Sequence, residues 1–229
     1  MALDSTEEEQ FEDLKKWFKE NGTSLLAGVV VVLAVMFGVR KWQDSQSVTM
    51  GEASDMYQQI SEMSVANIGK SVSDDELLAA QNLYSQLKGQ YTSSVYTRFA
   101  ALVMAKLHAE KGELDQAAAE LQWMLDNQSI GFMKKADPEL FLIAKQRLAR
   151  IRLAQGNAQA ALALVRGVDA GTFVNTFSET EGDALLQMGD KEAAKAAYQK
   201  ALAASSDGNP ALLKLKLQDL GVSSADDAP

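Results

Sequence analysis

An 18-residue run without any charge, residues 22–39, limits most strongly what this chain can fold into. Charged pairs border it, Lys19-Glu20 before and Arg40-Lys41 after. As a helix, the run would be about 27 Å long at about 1.5 Å of rise per residue, which is close to the hydrocarbon thickness of a bilayer. Residues 22–39 therefore predict a single transmembrane helix.

The flanks of this run argue against a cleaved signal peptide and give a weak indication of orientation. A signal peptide needs a basic start and a small-residue cleavage site directly after its apolar residues. This chain instead starts with acidic residues, and Arg40-Lys41-Trp42 follows the run. Three lysines precede the run, against two basic residues after it. This bias predicts that residues 1–21 are cytoplasmic and that the rest of the chain lies outside.

Charge and cysteine content restrict the functions of residues 43–229, which are enough for one domain or a short repeat array. This part has 17 Lys and Arg against 24 Asp and Glu, a net charge of −7. The balance disfavours nucleic acid as a partner, because phosphate binding needs clustered Lys and Arg. The chain has no cysteine, which excludes disulfides, thiolate nucleophiles and cysteine-ligated zinc.

The middle of the chain repeats a pattern of one glycine followed five residues later by one alanine. The pairs are Gly112 and Ala117, Gly156 and Ala161, and Gly189 and Ala194. The glycines are 44 and 33 residues apart, and a tetratricopeptide (TPR) repeat has a period of about 34 residues. The first spacing fits if residues 127–137 contain an insertion of roughly ten residues. The pattern resembles TPR repeats over residues 95–206.

We therefore predict an all-α fold, in which the transmembrane helix is followed by an α-solenoid of TPR-like helical hairpins. The helical domain covers residues 43–220, and residues 221–229 form a polar, disordered tail. In each hairpin the glycine ends the first helix, the next polar residue (Glu113, Asn157 or Asp190) caps the second, and the alanine allows close approach. Two further helix starts are predicted by a capping box at Ser73–Glu76 and by Asp137-Pro138.

A TPR array offers a concave face, built by the first helix of each hairpin, to its protein partners. Aligned on the turn glycines, the resemblance places these residues there: Phe99, Leu102, Lys106 and Ala109; Ile143, Gln146, Arg150 and Leu153; Thr176, Glu179, Asp183 and Leu186. Lys106 and Arg150 occupy equivalent positions on neighbouring hairpins and would form a basic pair in an acidic domain. The alternative is that both merely offset nearby acids on a solvated surface.

The sequence contains no pattern that indicates catalysis. It has no glycine-rich phosphate loop, nucleophile elbow or HExxH motif. His108 has no second histidine or cysteine to complete a zinc site, so packing in the first hairpin explains it better. The acidic run Asp74-Asp75-Glu76 suits a helix start. We expect no enzyme activity, cofactor, metal site or small-molecule substrate.

The chain as a whole resembles the bacterial YfgM family. The resemblance rests on the acidic start, on Glu20-Asn21-Gly22 before the span, on Gly38-Val39-Arg40-Lys41-Trp42 at its end, and on residues 145–150 and 181–190 in the repeats. It implies a single-pass protein of the bacterial inner membrane with its TPR domain in the periplasm. It also implies association with the SecYEG translocon and with PpiD, a membrane-anchored periplasmic folding factor.

These features together predict a membrane-tethered TPR adaptor at the periplasmic side of the Sec translocon. Such an adaptor binds protein partners and assists the handover of translocated proteins to periplasmic chaperones. The alternative with the same architecture is a TPR scaffold for another envelope pathway, such as cytochrome c maturation or outer-membrane protein assembly.

The hairpin register predicts where a larger side chain is not tolerated. Replacing Ala117, Ala161 or Ala194 with Leu should lower the free energy of unfolding by about 1–3 kcal/mol, because overpacking displaces the paired helices. Ala228→Leu, in the tail, is the control and should change it by no more than about 0.5 kcal/mol. Urea denaturation measures the difference, and equal midpoints for all four variants would mean that the register is wrong.

Overall fold

The computed structural model describes residues 15–17, 19, 31–38, 50–66, 72–129, 137–205 and 211–221. The chain divides into two compact units, Met1–Glu52 and Ala53–Pro229. The ranges given above contain helices and turns but no β-strand. The all-α prediction is therefore confirmed for the described part of the chain.

In the first unit, the described residues are all helical, and residues 31–38 carry exposed apolar side chains such as Val31 and Phe37. Residues 22–30 and 39 of the predicted span lie outside the described residues, as do residues 1–14. Among the helices that the structure does describe, none combines the length and apolar character needed to cross a membrane.

The second unit is a succession of helices. They are α1 (residues 50–66, of which 53–66 belong to this unit), α2 (Asp74–Gln90), α3 (Val95–Glu110), α4 (Leu114–Asp126), α5 (Pro138–Ala154), α6 (Ala158–Val165), α7 (Val174–Gln187), α8 (Lys191–Ala203) and α9 (Ala211–Asp219). A 3₁₀ turn, Gly171–Phe173, precedes α7. Residues 130–136 of the predicted insertion and residues 222–229 of the predicted tail lie outside the described residues.

The helices form hairpins that stack on one another. α3 pairs with α4, α5 with α6, and α7 with α8, and each helix from α2 onwards also packs against the next one along the chain. α1 adds Ala53 and Ile60 to the core of the first hairpin, and α9 adds Leu213 and Leu217 to the core of the last. Neighbours thus bury the apolar sides of each hairpin, as in other repeat arrays.

The apolar core has two parts that meet on α5. The first part is built by α1–α5 and includes Leu148, while the second includes Ala149 and continues to Leu217 of α9. Leu164 of α6 packs against both parts. Since Leu148 lies in the first part and its neighbour Ala149 in the second, α5 contributes directly to both cores.

The three predicted turn glycines adopt the left-handed conformation. Their φ angles are 77° for Gly112, 78° for Gly156 and 87° for Gly189. In each turn, the amide of the following residue donates a hydrogen bond to the carbonyl five residues earlier, at 2.9, 2.8 and 3.0 Å respectively. This Schellman arrangement satisfies carbonyls that the helix end leaves without a partner. One turn geometry therefore recurs in all three hairpins.

Two of the three predicted caps on the second helices are confirmed. The Oδ1 atoms of Asn157 and Asp190 each accept a hydrogen bond from the amide three residues later, both at 3.1 Å. The prediction for Glu113 is wrong, since its side chain makes no capping hydrogen bond. Its longer side chain instead places Oε2 2.6 Å from Nδ1 of His108, at the end of the preceding helix.

The other helix-start predictions are confirmed. Ser73 caps α2 in a capping box with Glu76, and Asp137 caps α5 with Pro138 in its first turn. The three hairpin alanines, Ala117, Ala161 and Ala194, are fully buried. Their burial agrees with the register on which the Ala→Leu prediction rests.

Gly182 of α7 and Tyr198 of α8 approach each other closely in the last hairpin. A Cβ atom built on Gly182 would lie 2.4 Å from Cε1 of Tyr198. The tyrosine ring is fully buried, and its hydroxyl donates a 2.7 Å hydrogen bond to Asp183 Oδ1. Because the ring is held at both ends, it has little freedom to move aside.

We expect Gly182→Ala to destabilise the protein by about 1–3 kcal/mol through this clash, although alanine favours helices. Gly89→Ala in α2 is the matched control, because nothing lies within 4 Å of its added Cβ. That control should gain up to about 1 kcal/mol from helix propensity. Urea denaturation compares the two, and a stabilised Gly182→Ala variant would disprove the close approach.

Candidate functional site

Contacts between alternate helices identify one common face of the second unit. Lys106 of α3 reaches Ser64 of α1, with Nζ 2.9 Å from Oγ. Arg150 of α5 lies 3.7 Å from Glu179 of α7, and Lys216 of α9 lies 2.8 Å from the same glutamate. The first helices of the hairpins therefore share this face with α1 and α9, and we call it the odd-helix face.

A cleft opens on the odd-helix face between α3 and α5. It has a volume of about 260 Å³ and is lined by Ala105, Lys106, Ala109, Leu121, Arg147, Arg150 and Ile151. Leu121 of α4 forms the buried floor, and the aliphatic side chains give the cleft a mostly apolar lining. We call this site the α3–α5 cleft.

Three cations surround the apolar lining. Lys106 lies 3.5 Å from Glu110, and Arg150 lies 3.7 Å from Glu179, both longer than a charge-assisted hydrogen bond. Within the described residues, the Arg147 guanidinium has no hydrogen-bond or ion-pair partner. Desolvation by the surrounding protein and, secondly, the charge of Arg150 lower the pKa of Arg147. The rim of the cleft is therefore positively charged and only partly neutralised.

At the other end of the odd-helix face, the positive charge of Lys216 is neutralised by two acidic side chains of α7. Lys216 Nζ donates hydrogen bonds to Glu179 at 2.8 Å and to Asp183 at 2.6 Å. Burial lowers the pKa of Lys216, but the bonds to Asp183 and Glu179 outweigh it and the pKa is raised overall. Burial, together with Asp183 and Glu179, also raises the pKa of Tyr198, whose hydroxyl donates to Asp183. These four side chains form a connected network.

The predicted face residues fall into several environments. Lys106, Ala109 and Arg150 line the α3–α5 cleft, and Glu179 and Asp183 belong to the network with Lys216. Leu186 is exposed, while Ile143, Leu153 and Thr176 are half-buried.

The remaining three predicted positions are turned towards the protein. The ring of Phe99 lies 5.7 Å from that of Tyr57 in α1, and Leu102 is buried in the first core. Gln146 is 9% exposed, and its Nε2 has no hydrogen-bond partner among the residues described. Partner binding by the predicted set as a whole stays a prediction.

His108 and Asp74 of the acidic run each contact a neighbouring side chain of the domain. His108 is 4% exposed and contacts Glu113, in agreement with the packing interpretation. Asp74 pairs with Lys111, whose hydrogen bond and charge lower the pKa of Asp74. Within the described ranges, His, Asp and Glu side chains form no group of three that could hold a metal ion.

Sequence reasoning did not include Arg147 and Lys216 in the site. Arg147 lies three residues before Arg150, a spacing that makes helix residues surface neighbours. Lys216 lies 33 residues after Asp183, which itself lies 33 residues after Arg150. Extending the repeat period by one unit would have indicated Lys216, and helix spacing would have indicated Arg147.

Comparison with known proteins agrees with this architecture. Residues 15–222 match the tetratricopeptide repeat-like domain family. The chain belongs to this family. The match extends beyond residues 95–206 at both ends.

This TPR-like chain is also similar, along nearly its whole length, to bacterial proteins named "Ancillary SecYEG translocon subunit". The Escherichia coli protein of that name is 29% identical over 225 residues, which cover 97% of this chain and 100% of the relative. The Haemophilus influenzae protein is 29% identical over 220 residues, covering 96% and 100%. The Neisseria gonorrhoeae protein is 25% identical over 222 residues, covering 96% and 100%. The resemblance to the YfgM family is thereby confirmed.

The Lys216 network predicts a loss of stability at alkaline pH. An unfolded lysine releases its proton near pH 10.4, whereas the pKa of folded Lys216 is higher. The stability that this charge contributes is therefore fully present below about pH 10.4 and is lost as the pH rises through the folded pKa. Lys216→Met should cost about 1–3 kcal/mol at pH 8, and the difference from the unchanged protein should shrink towards pH 11.5.

Urea midpoints at pH 8, 9.5, 10.5 and 11.5 measure this dependence. Lys200→Met, which removes an exposed lysine from the last turn of α8, is the control. Its urea midpoint should fall with rising pH as steeply as that of the unchanged protein. If the urea midpoint of Lys216→Met fell with rising pH as steeply as that of the unchanged protein, the charge of Lys216 would not contribute to stability as predicted.

Proposed function

We propose that this chain is a membrane-anchored TPR-like adaptor that associates with the SecYEG translocon and binds protein partners on its periplasmic side. The observation that carries the proposal is the end-to-end likeness to proteins named ancillary SecYEG translocon subunits, which covers 96–97% of this chain and 100% of each relative. The TPR-like family supports an adaptor rather than an enzyme, because stacked hairpins offer an extended surface to other proteins.

The anchor in this proposal is residues 22–39, with residues 1–21 in the cytoplasm. Six apolar side chains of the helical residues 31–38 are exposed: Val31, Val32, Leu33, Val35, Met36 and Phe37. Contiguous exposed apolar surface of this kind suits contact with lipid or with another membrane protein. Basic residues on both sides of the run favour a fixed position across the bilayer.

Tethering gives such an adaptor its advantage. A domain attached to the membrane by a short anchor is concentrated near the translocon without any additional contact. The odd-helix face then offers a binding surface to segments of other proteins. In the extended form of the proposal, these partners include a PpiD-like folding factor, and the chain assists the handover of translocated proteins to periplasmic chaperones.

The orientation is tested by adding protease to spheroplasts. We expect residues 43–229 to be digested while an epitope at the N-terminus survives, because the domain lies outside the inner membrane. A cytoplasmic marker protein must stay intact as the control for lysis. A domain that is protected until the membrane is broken would overturn the proposed orientation.

Association is tested by co-purification in mild detergent. The tagged chain should recover SecYEG subunits, and an unrelated single-pass protein with the same tag should not. A PpiD-like protein in the same eluate would support the handover role. Recovery of an assembly for cytochrome c maturation or outer-membrane protein insertion, with no SecYEG, would overturn the proposed function in favour of another envelope pathway.

A further inference from the structure

The size and lining of the α3–α5 cleft suit the side chains of a polypeptide better than a free small molecule. Its volume of about 260 Å³ is below the roughly 300–1,000 Å³ typical of small-molecule sites. Leu121, Ile151 and two alanines present aliphatic surface. A cleft of this size can bury one or two aliphatic side chains of a segment that lies across it.

The charge around the cleft restricts what accompanies those side chains. Arg147 and Arg150 stand next to Ile151 on α5, and Lys106 faces them from α3. Guanidinium groups bind carboxylates through paired hydrogen bonds. In a domain with a net charge of −7, three cations around one apolar cleft favour an acidic ligand.

We propose that the α3–α5 cleft binds a segment of a partner protein that inserts an aliphatic side chain against Leu121 and Ile151 and places an adjacent carboxylate on Arg147 and Arg150. The inference deepens the adaptor function and rests on it, because it names the chemistry of the partner segment. The aliphatic residue and the acid must be close together in the bound segment, since Arg147 and Ile151 lie one helical turn apart on the same side of α5.

Neither the C-terminal residues 222–229 nor a second copy of the chain fits the cleft as well as a partner does. Residues 222–229 contain Asp226 and Asp227, but their one branched aliphatic residue, Val222, lies four residues before the nearer acid. A second copy of the chain carries a net charge of −9, so two copies repel each other. Charge complementarity therefore points to a different protein.

The test measures fluorescence anisotropy with the full-length chain in mild detergent at low salt. The probe is a fluorescein-labelled octapeptide of alternating leucine and glutamate. Two matched peptides replace every glutamate with glutamine or every leucine with serine. The leucine–glutamate peptide should bind about tenfold more tightly than either, because each of the others lacks one half of the contact. Equal affinity for the glutamine peptide overturns the proposal.

Paired variants locate the site. Arg147→Gln combined with Arg150→Gln should weaken binding of the leucine–glutamate peptide about tenfold, with little change in the urea midpoint because both side chains are exposed. The control, Lys191→Gln combined with Lys195→Gln on α8, removes the same charge from another part of the unit and should bind as before. An equal loss in both variants would mean that net charge, and not the cleft, attracts the peptide.

Two further experiments test whether the C-terminal residues 222–229 or a second copy of the chain occupies the cleft instead. Deleting residues 222–229 leaves peptide affinity unchanged if a partner uses the cleft, whereas a tenfold gain would make the tail its occupant and overturn the proposal. A dimer in analytical ultracentrifugation that the two arginine substitutions abolish would assign the cleft to a second copy and also overturn it.

Co-purification separates this inference from the proposed function. If the chain recovers SecYEG but does not discriminate among the peptides, the cleft inference fails and the adaptor function stands. If it recovers no SecYEG, the proposed function fails whatever the peptides show, and the inference loses the role on which it rests.

Discussion

The stack depends on how closely neighbouring helices can approach one another. Ala117, Ala161 and Ala194 are fully buried in the hairpins, and Gly182 has no room for a methyl group beside Tyr198. Close approach gives each apolar side chain more neighbours and leaves fewer voids. The dispersion attraction between the helices is therefore stronger. The left-handed glycine turns reverse the chain between paired helices, whose small residues are then buried inside the hairpins.

The cleft lies between the two hairpins whose turn glycines are spaced furthest apart. Between Gly156 and Gly189 the spacing is 33 residues, and α5 packs directly against α7. Between Gly112 and Gly156 it is 44 residues, and a cleft separates the corresponding helices α3 and α5. The departure from a regular period thus coincides with the α3–α5 cleft.

Much of the fold could be predicted because short-range chemistry determines it. The turn glycines, the caps at Ser73, Asn157 and Asp190, and the small residues obey local rules that one sequence reveals. The site was harder to predict, because side-chain partners depend on distances between helices. The sequence does not show that Phe99 packs against Tyr57, because that outcome is set by tertiary contacts. It also does not show that Glu113 turns to His108, five residues earlier, instead of capping α4.

The position of α5 in both cores has a consequence for how the array unfolds. Repeat proteins behave approximately as a row of units whose stability depends on the coupling between neighbours. Since Leu148 and Ala149 tie the two halves to one helix, melting either half removes packing from the helix that supports the other. We expect strong cooperativity at this junction. A segment bound to Arg147 and Arg150 of α5 would then protect amide hydrogens on both sides of it from exchange, far beyond the residues that it touches.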